Sequence, residues 1–149
     1  MMLSPHFADT ELGVFGQSEQ IVANAAQLCA LLLEPIRAQF GPVAVDDGFR
    51  TPEHNAAVGG SPGSQHLYLW KNSAADIRPL GALLQEVFDW IRLSSHLPFD
   101  QAILEVAPGT RSPRCIHISY NGALSAQRRQ ALTGETNGAG AYQSLEVNP

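Results

Sequence analysis

The sequence of 149 residues has few cysteines and no cluster of basic residues. Its two cysteines, Cys29 and Cys115, are too few for a disulfide framework or for a structural zinc site built from cysteine alone. We expect both to be small buried side chains rather than a disulfide pair. The nine Lys and Arg residues are scattered along a chain of net charge −5, which argues against a nucleic-acid partner.

The chain also lacks long apolar runs and a recognisable export signal. Its N-terminus has neither a basic segment nor an apolar segment, and no apolar run approaches the ~18 residues that cross a bilayer. We therefore expect a monomer made in the cytoplasm without a signal peptide and without a membrane partner. If its substrate lies outside the cell, release or delivery has to bring the protein there.

Length and composition predict one domain that buries its own core, since 44% of the residues are hydrophobic and 15% are charged. Apolar residues at helical spacing predict a helix over residues 19–40, which Pro35 either kinks or restarts, and a second helix that starts at Pro79. Strands are predicted at residues 43–45, 73–78, 100–106 and 114–120, with the last two joined as a hairpin.

These elements favour the α+β class, with helices packed against a mostly antiparallel sheet. The predicted domain covers residues 1–132. Residues 133–149 are rich in Gly, Thr, Asn and Ser, and we expect them to form a loosely held tail.

Two of the five histidines, together with one aspartate, suggest a metal site. His66 closes a loop rich in Gly and Ser, Asp76 lies in a strand of small and apolar residues, and His117 lies between two isoleucines. Two imidazoles and one carboxylate form a ligand set that catalytic zinc uses, with a fourth position left for water. An aspartate in an apolar strand also needs a compensating partner. Spacing alone leaves structural roles open for all three, and we expect structural or exposed roles for the other histidines.

Glu105 and Arg50 are candidate catalytic residues. Glu105 ends a predicted strand across the hairpin from His117, and if these two residues pair, both side chains lie on one face of the sheet. Glu105 is then either a general base beside a metal-bound water or a solvated strand end. Arg50, in the loop after the first strand, either binds a carboxylate or developing oxyanion or is a surface residue.

Several motifs in series resemble the zinc D-Ala-D-Ala metallopeptidases, in the branch found in phage-type cell-wall lysins and small bacterial peptidases. The motifs are Gly-Phe-Arg-Thr-Pro at 48–52, Asn55, Val-Gly-Gly-Ser-Pro at 58–62, Ser-Gln-His-Leu at 64–67, Ala-Ala-Asp-Ile at 74–77, Asp-Gln-Ala-Ile-Leu-Glu at 100–105 and Ile-His-Ile-Ser-Tyr at 116–120. They occur in the expected order, and the resemblance extends over about residues 3–130.

The resemblance implies the α+β fold shared by hedgehog and D-Ala-D-Ala peptidases, with Zn²⁺ as cofactor and His66, Asp76 and His117 as its ligands. It implies hydrolysis of a peptide bond in the peptidoglycan stem peptide. The bond would lie next to D-alanine, as in a carboxypeptidase, or between L-alanine and D-glutamate, as in an endopeptidase. A dipeptidase acting on free D-Ala-D-Ala is a further alternative.

The resemblance also implies roles for four other residues. Arg50 would stabilise the scissile carbonyl as it gains charge, and Glu105 matches the catalytic base. Ser64 and Gln65, directly before the first histidine, would contact the substrate peptide.

The spacing between the first two predicted ligands departs from the family pattern. Nine residues separate His66 from Asp76, three more than is usual in the family. We interpret the difference as an insertion beside the zinc. Its Tyr68 and Trp70 either line the substrate groove or pack against the domain.

A second departure lies just before His117. Arg114 and Cys115 occupy positions where relatives often have an acid or a histidine, so the role of base falls to Glu105. The two departures favour the alternative of a non-catalytic, zinc-containing wall-binding or phage structural module. The presence of Arg50 and Glu105 favours an enzyme.

Overall fold

The computed structural model describes residues 1–136 and 142–149, and its main feature is a six-stranded sheet. Strands β1 (Met2–Ser4) and β2 (Phe7–Ala8) form a separate small antiparallel ribbon. The main sheet contains β3 (Val43–Asp47), β4 (Asn72–Pro79), β5 (Gln101–Val106), β6 (Pro113–Asn121), β7 (Gln130–Glu135) and β8 (Gln143–Leu145), in the order β3-β4-β6-β5-β7-β8. Among the strands of the described residues, only β5 and β7 pair in parallel. The predicted α+β class with a mostly antiparallel sheet is therefore confirmed.

The two faces of this sheet have different compositions because side chains alternate along each strand. In β6, Ile116 and Ile118 are fully buried in the core, where they join apolar residues of the helices. Cys115, His117 and Ser119 lie on the opposite face. The core therefore occupies one face of the sheet and leaves the other available for polar side chains.

The first helical segment runs from Glu19 to Phe40 and is irregular in the middle. It consists of α1 (Glu19–Leu28), a π turn (Cys29–Leu33) and α2 (Glu34–Phe40). Pro35 lies at the start of α2, and since proline offers no N–H donor, the irregular turn precedes it, close to the predicted kink. Gly41 ends α2 with a φ of 83°.

This 22-residue segment has the predicted length, but by length and composition it could cross a membrane, which was not expected of any segment from the sequence. The same test is also passed by core helices. Leu28, Leu32 and Ile36 of this segment are fully buried in the core of the domain.

The helix predicted to start at Pro79 starts later. Pro79 is the last residue of β4 and pairs with Val43, and helix α4 comprises Leu84–Leu93. A proline cannot donate to the ladder, so it fits the end of a strand as well as the start of a helix. Leu83 is exposed, whereas Val87, Phe88 and Ile91 bury the helix against the sheet.

The segment predicted as a loosely held tail contains part of the sheet. Strand β7 crosses the predicted boundary at residue 132, and β8 pairs with β7. Asn148 donates from its side chain to the carbonyl of Leu93 at 2.7 Å and from its backbone to the carbonyl of Arg92. Residues 137–141 lie outside the described part, and the division into domain and tail stays a prediction.

Candidate metal centre and active-site groove

Three side chains with metal-binding donors converge on one point. Nε2 of His66 lies 3.2 Å from Oδ1 of Asp76 and 3.1 Å from Nδ1 of His117. The third distance, from Nδ1 of His117 to Oδ1 of Asp76, is 3.2 Å. Donor atoms around a tetrahedral zinc with bonds of about 2.0 Å lie about 3.3 Å apart. The spacing and the two-nitrogen, one-oxygen donor set therefore fit zinc.

A hydrogen bond to the backbone orients His66. The residue lies in a short 3₁₀ turn, Gln65–Leu67, where Ser64 Oγ accepts from the backbone N–H of His66 at 3.3 Å. Its ring nitrogen Nδ1 lies 2.7 Å from the carbonyl oxygen of Gly48, to which it donates. In the neutral ring, Nε2 then carries a lone pair that faces an oxygen of Asp76, so this contact is favourable only when a proton or a metal cation lies between the two atoms. A cation between these atoms satisfies this arrangement, and such outer hydrogen bonds are typical of metal-bound histidines.

Asp76 and His117 are brought together by the register of two central strands. They are direct partners in the antiparallel β4–β6 pair, so their side chains lie on the same face. Burial disfavours the charged form of Asp76, but hydrogen bonds from His117 and His66 outweigh it and hold the pKa of this carboxyl well below its usual range. Burial also opposes protonation of His66, yet Asp76 raises the pKa of that imidazole. Asp76 is therefore ionised, and its negative charge favours a positive charge beside it, either a proton on His66 or a metal cation.

The three donors open into a groove of about 960 Å³ on the polar face of the sheet. All of the residues proposed from the sequence line this groove. They are Arg50, Ser64, Gln65, His66, Asp76, Glu105 and His117. The structure thus brings together residues that are spread over 68 positions of the chain, Arg50 to His117.

Glu105 lies on the predicted face, although its strand partner differs from the expected one. In the β5–β6 pair, Glu105 faces Cys115, and His117 faces Ile103. Glu105 and His117, whose pairing the sequence left open, are therefore not direct partners, and the register differs from that pairing by two residues. Because side chains two residues apart share a face, Glu105 still lies on the same side as His117.

Among the described residues, three donors contact the carboxylate of Glu105. Cys115 Sγ lies 3.5 Å from Oε2, Thr136 Oγ1 lies 3.3 Å from Oε2, and the Tyr142 hydroxyl lies 3.4 Å from Oε1. Burial, together with the nearby charge of Glu105, raises the pKa of Tyr142 to about 12. Burial and the charges of Asp76 and Glu105 also raise the pKa of the Cys115 thiol. The thiol and the phenol therefore stay protonated and donate to the carboxylate.

Thr136 and Tyr142 were not predicted as site residues, because they belong to a segment without a motif. Cys115 was expected only to be a small buried side chain. It is indeed buried and free of any disulfide, as is Cys29, but its thiol also contacts Glu105. No pattern in the sequence indicated these contacts, which depend on the pairing of β5, β6 and β7.

Arg50 is held beside the predicted ligands by its neighbours. Its Nε donates to Asp47 Oδ2 at 2.6 Å, its Nη1 donates to Asn55 Oδ1 at 3.4 Å, and its Nη2 lies 3.7 Å from Asp76 Oδ2. Asn55 belongs to the short helix α3 (Pro52–Ala57), which Thr51 caps by accepting from the His54 N–H. The Arg50 side chain is only 14% exposed, so it is not an ordinary surface arginine.

Ser64 and Gln65 connect the first histidine to other parts of the groove. Ser64 caps the turn that carries His66. The Gln65 side chain donates to Asp100 Oδ2 at 2.9 Å and to Asn72 Oδ1 at 3.3 Å. Among the described residues, its buried Oε1 has no hydrogen-bond partner. Both residues border the groove, as expected for residues that contact a substrate.

The inserted residues between His66 and Asp76 do not line the groove. Tyr68 is buried, donates its hydroxyl to the carbonyl of Ala74 at 2.8 Å and packs edge-on against Phe49. Trp70 is 86% exposed. Packing is therefore the correct alternative for Tyr68, and Trp70 is a surface residue.

Comparison with curated proteins finds no match for this chain. The sequence model of one family, described as Peptidase M15, matches residues 5–118, which is most of the chain. The matched stretch includes the three converging donors together with Arg50 and Glu105, and it ends before Thr136. The chain therefore belongs to the Peptidase M15 family of metallopeptidases, the zinc D-Ala-D-Ala peptidases that its motifs resemble.

Proposed function

We propose that this protein is a zinc-dependent hydrolase of the peptidoglycan stem peptide, of the D-Ala-D-Ala carboxypeptidase or the L-Ala-D-Glu endopeptidase type. The observation that carries the proposal is the set of three donor atoms, 3.1–3.2 Å apart, at a groove large enough for a peptide. Family membership supports a peptidase, and the motifs support the substrate class. The protein would act on the wall after release or delivery.

His66, Asp76 and His117 would hold the zinc ion. When bound, such an ion polarises a carbonyl and lowers the pKa of its water. The two histidines contribute no net charge and Asp76 contributes one negative charge, so the loaded site keeps a net positive charge, which favours that chemistry.

Glu105 would act as the general base. It would take up a proton at a carboxylate oxygen and later return it to the leaving amine. Its contacts with Cys115, Thr136 and Tyr142 are long, from 3.3 to 3.5 Å, and they hold the carboxylate on the groove face while leaving it able to accept a proton.

Arg50 would stabilise negative charge on the scissile carbonyl. Asp47 fixes one edge of its guanidinium, and the opposite end points toward Asp76 beside the metal position. A cation held in place before the reaction costs little reorganisation when charge develops.

The test is hydrolysis by Glu105→Gln, with Glu86→Gln as a control on the exposed side of α4. We expect Glu105→Gln to keep its zinc content and melting temperature but to release peptide products from purified cell wall ~10²–10⁴-fold more slowly. Glu86→Gln should match the native protein in all three measurements. His117→Ala should lose most of the zinc.

Two outcomes would contradict the proposal. Near-native turnover by Glu105→Gln would place the base elsewhere. A native, zinc-loaded protein that releases no product from cell wall or from stem peptides would favour the non-catalytic wall-binding or structural alternative.

A further inference from the structure

Arg128 lies at the end of the groove that is remote from Glu105. It contacts Asp100, which directly precedes β5, whereas Glu105 lies near the other end of that strand. Five residues of extended strand span about 16 Å, so the two ends of the groove are well separated. Arg128 lines the groove but lies beyond the stretch matched by the family.

A buried carboxylate holds the guanidinium of Arg128. Its Nε donates to Asp100 Oδ1 at 2.9 Å and its Nη2 donates to Asp100 Oδ2 at 2.7 Å. Asp100 is fully buried and also accepts from the backbone N–H of Arg128 and from the Gln65 side chain. A two-point pair of this kind fixes the plane of the guanidinium.

The other edge of the guanidinium is available to a ligand. The Arg128 side chain is 53% exposed, although one edge is fixed on a buried group. Within residues 1–136 and 142–149, its Nη1 donates to no acceptor. An arginine oriented in this way offers donors that match a carboxylate.

The other two arginines of the groove are less suited to this role. Arg50 is engaged by Asp47 and Asn55 and lies beside the metal position. Arg114 is exposed and, among the described residues, makes no hydrogen bond or ion pair that would orient it. Of the three arginines that line the groove, Arg128 alone combines a fixed orientation with donors that are free among the described residues.

We infer that Arg128 determines specificity by binding a carboxylate of the substrate, and this inference rests on the proposed function. Its neighbour in the network, Gln65, directly precedes His66, so a ligand at Arg128 would extend along the groove from the metal position. A stem peptide offers two such groups, the C-terminal carboxylate of D-alanine and the α-carboxylate of D-glutamate.

The test uses three synthetic stem pentapeptides: one with both carboxylates free, one with a C-terminal amide, and one with the D-glutamate α-carboxylate amidated. For the native, zinc-loaded protein we expect kcat/KM to fall ~10–100-fold for one of the two amides, as expected for loss of a charge-assisted hydrogen bond. The amide that loses activity identifies the carboxylate. Calorimetric Kd values for Glu105→Gln should show the same preference without turnover.

The decisive variant is the double replacement Asp100→Asn with Arg128→Gln, which removes the guanidinium without leaving a buried carboxylate unpaired. In this double variant, KM and Kd should become similar for the three peptides, whereas kcat should change much less. Asp100→Asn alone retains the guanidinium but loosens its orientation, so it should weaken the preference without abolishing it. Arg111→Gln makes the same change of charge as Arg128→Gln at an exposed residue outside the groove and should keep the preference.

Equal kcat/KM values and equal Kd values of the native protein for all three peptides would overturn the assignment of Arg128, even if the double variant failed to fold. An unchanged preference in a folded double variant would also overturn it. Absence of any hydrolysis by the native protein would instead contradict the proposed function, and the Kd comparison would still decide the role of Arg128.

Discussion

Arg50 illustrates how individual residues of the groove are positioned by their neighbours. Asp47 binds its Nε at 2.6 Å, and Asn55 binds its Nη1. The side chain is therefore mostly buried and paired, so a substitution there affects packing as well as charge.

We predict that Arg50→Lys lowers turnover more than it weakens substrate binding. Lysine keeps the charge but cannot bind Asp47 and an oxyanion with a planar fork. The loss in transition-state stabilisation should be on the order of 2–4 kcal/mol, by analogy with removal of one oxyanion-hole donor. Separate kcat and KM values for a stem peptide measure it, and Arg111→Lys is the control at an exposed residue. Full activity in a folded Arg50→Lys protein would contradict the catalytic role.

At the scale of residues, the predictable part of the site was the part that short motifs contain. Arg50, His66 and Asp76 lie in or beside motifs that the sequence shows directly. Asp100 and Tyr142 acquire their contacts with Arg128 and Glu105 only through strand pairing across 28 and 37 positions of the chain. Those contacts could not be predicted without the register of the sheet.

Among the elements, the inserted loop between His66 and β4 is bound by a buried side chain of α1. The amide nitrogen of Asn24, in α1, donates to the carbonyl oxygens of Tyr68, Trp70 and Asn72 at 3.4, 2.9 and 3.3 Å. Tyr68 and Trp70 have positive φ values of 51° and 56°, which are unfavourable for bulky residues. The Asn24 amide therefore compensates for a strained backbone.

We predict that Asn24→Ala lowers the free energy of unfolding by about 1–3 kcal/mol, because it removes a buried amide donor from three carbonyl oxygens. Urea denaturation followed by circular dichroism measures the change. Gln39→Ala, at an exposed position of α2, should change stability very little. Equal stability of the Asn24 variant and the native protein would show that the loop holds its conformation without this side chain.

The elements with strong patterns were predicted well, and the weakly patterned ones were not. The sequence indicated β5 and β6 because their apolar runs are bounded by prolines and a glycine. Strands β7 and β8 contain the polar sequences Gln-Ala-Leu-Thr-Gly-Glu and Gln-Ser-Leu, and they are strands because they continue the edge of an existing sheet. Pro79 could begin a helix or end a strand, and its pairing with Val43 makes it the last residue of β4.

For the whole molecule, Asp100 makes stability depend on pH. Burial opposes its ionisation, but hydrogen bonds and charge from Arg128 hold its pKa below the unfolded value of 3.8. The stabilisation is therefore fully present above that value and is lost as the pH falls through the lower pKa of the folded state.

We predict that the free energy of unfolding is steady with respect to this group at neutral pH and decreases as the pH is lowered below about 4. Urea denaturation at a series of pH values from neutral to about pH 3 measures the dependence. Asp100→Asn should be less stable at neutral pH and should lose less stability on acidification. An identical pH dependence in the two proteins would exclude a contribution from Asp100.

The α+β architecture could be predicted because the apolar pattern of the chain requires helices over one face of a sheet. The polar residues that form the groove on the other face of the sheet could be predicted only in part. Alternation within β6 shows that Cys115 and His117 share a face, but the sequence does not show which strands extend that face. The order of strands, with β6 between β4 and β5, places Asp76 and Glu105 on either side of it.

The groove is lined by two stretches of chain, one inside the family match and one after it. The metal position depends on residues up to His117, whereas Arg128, Thr136 and Tyr142 reach the same groove from the segment after the family match. That segment contains none of the three metal-binding donors. Replacing it with the corresponding segment of a related peptidase would therefore keep those donors and change the side chains that line the rest of the groove.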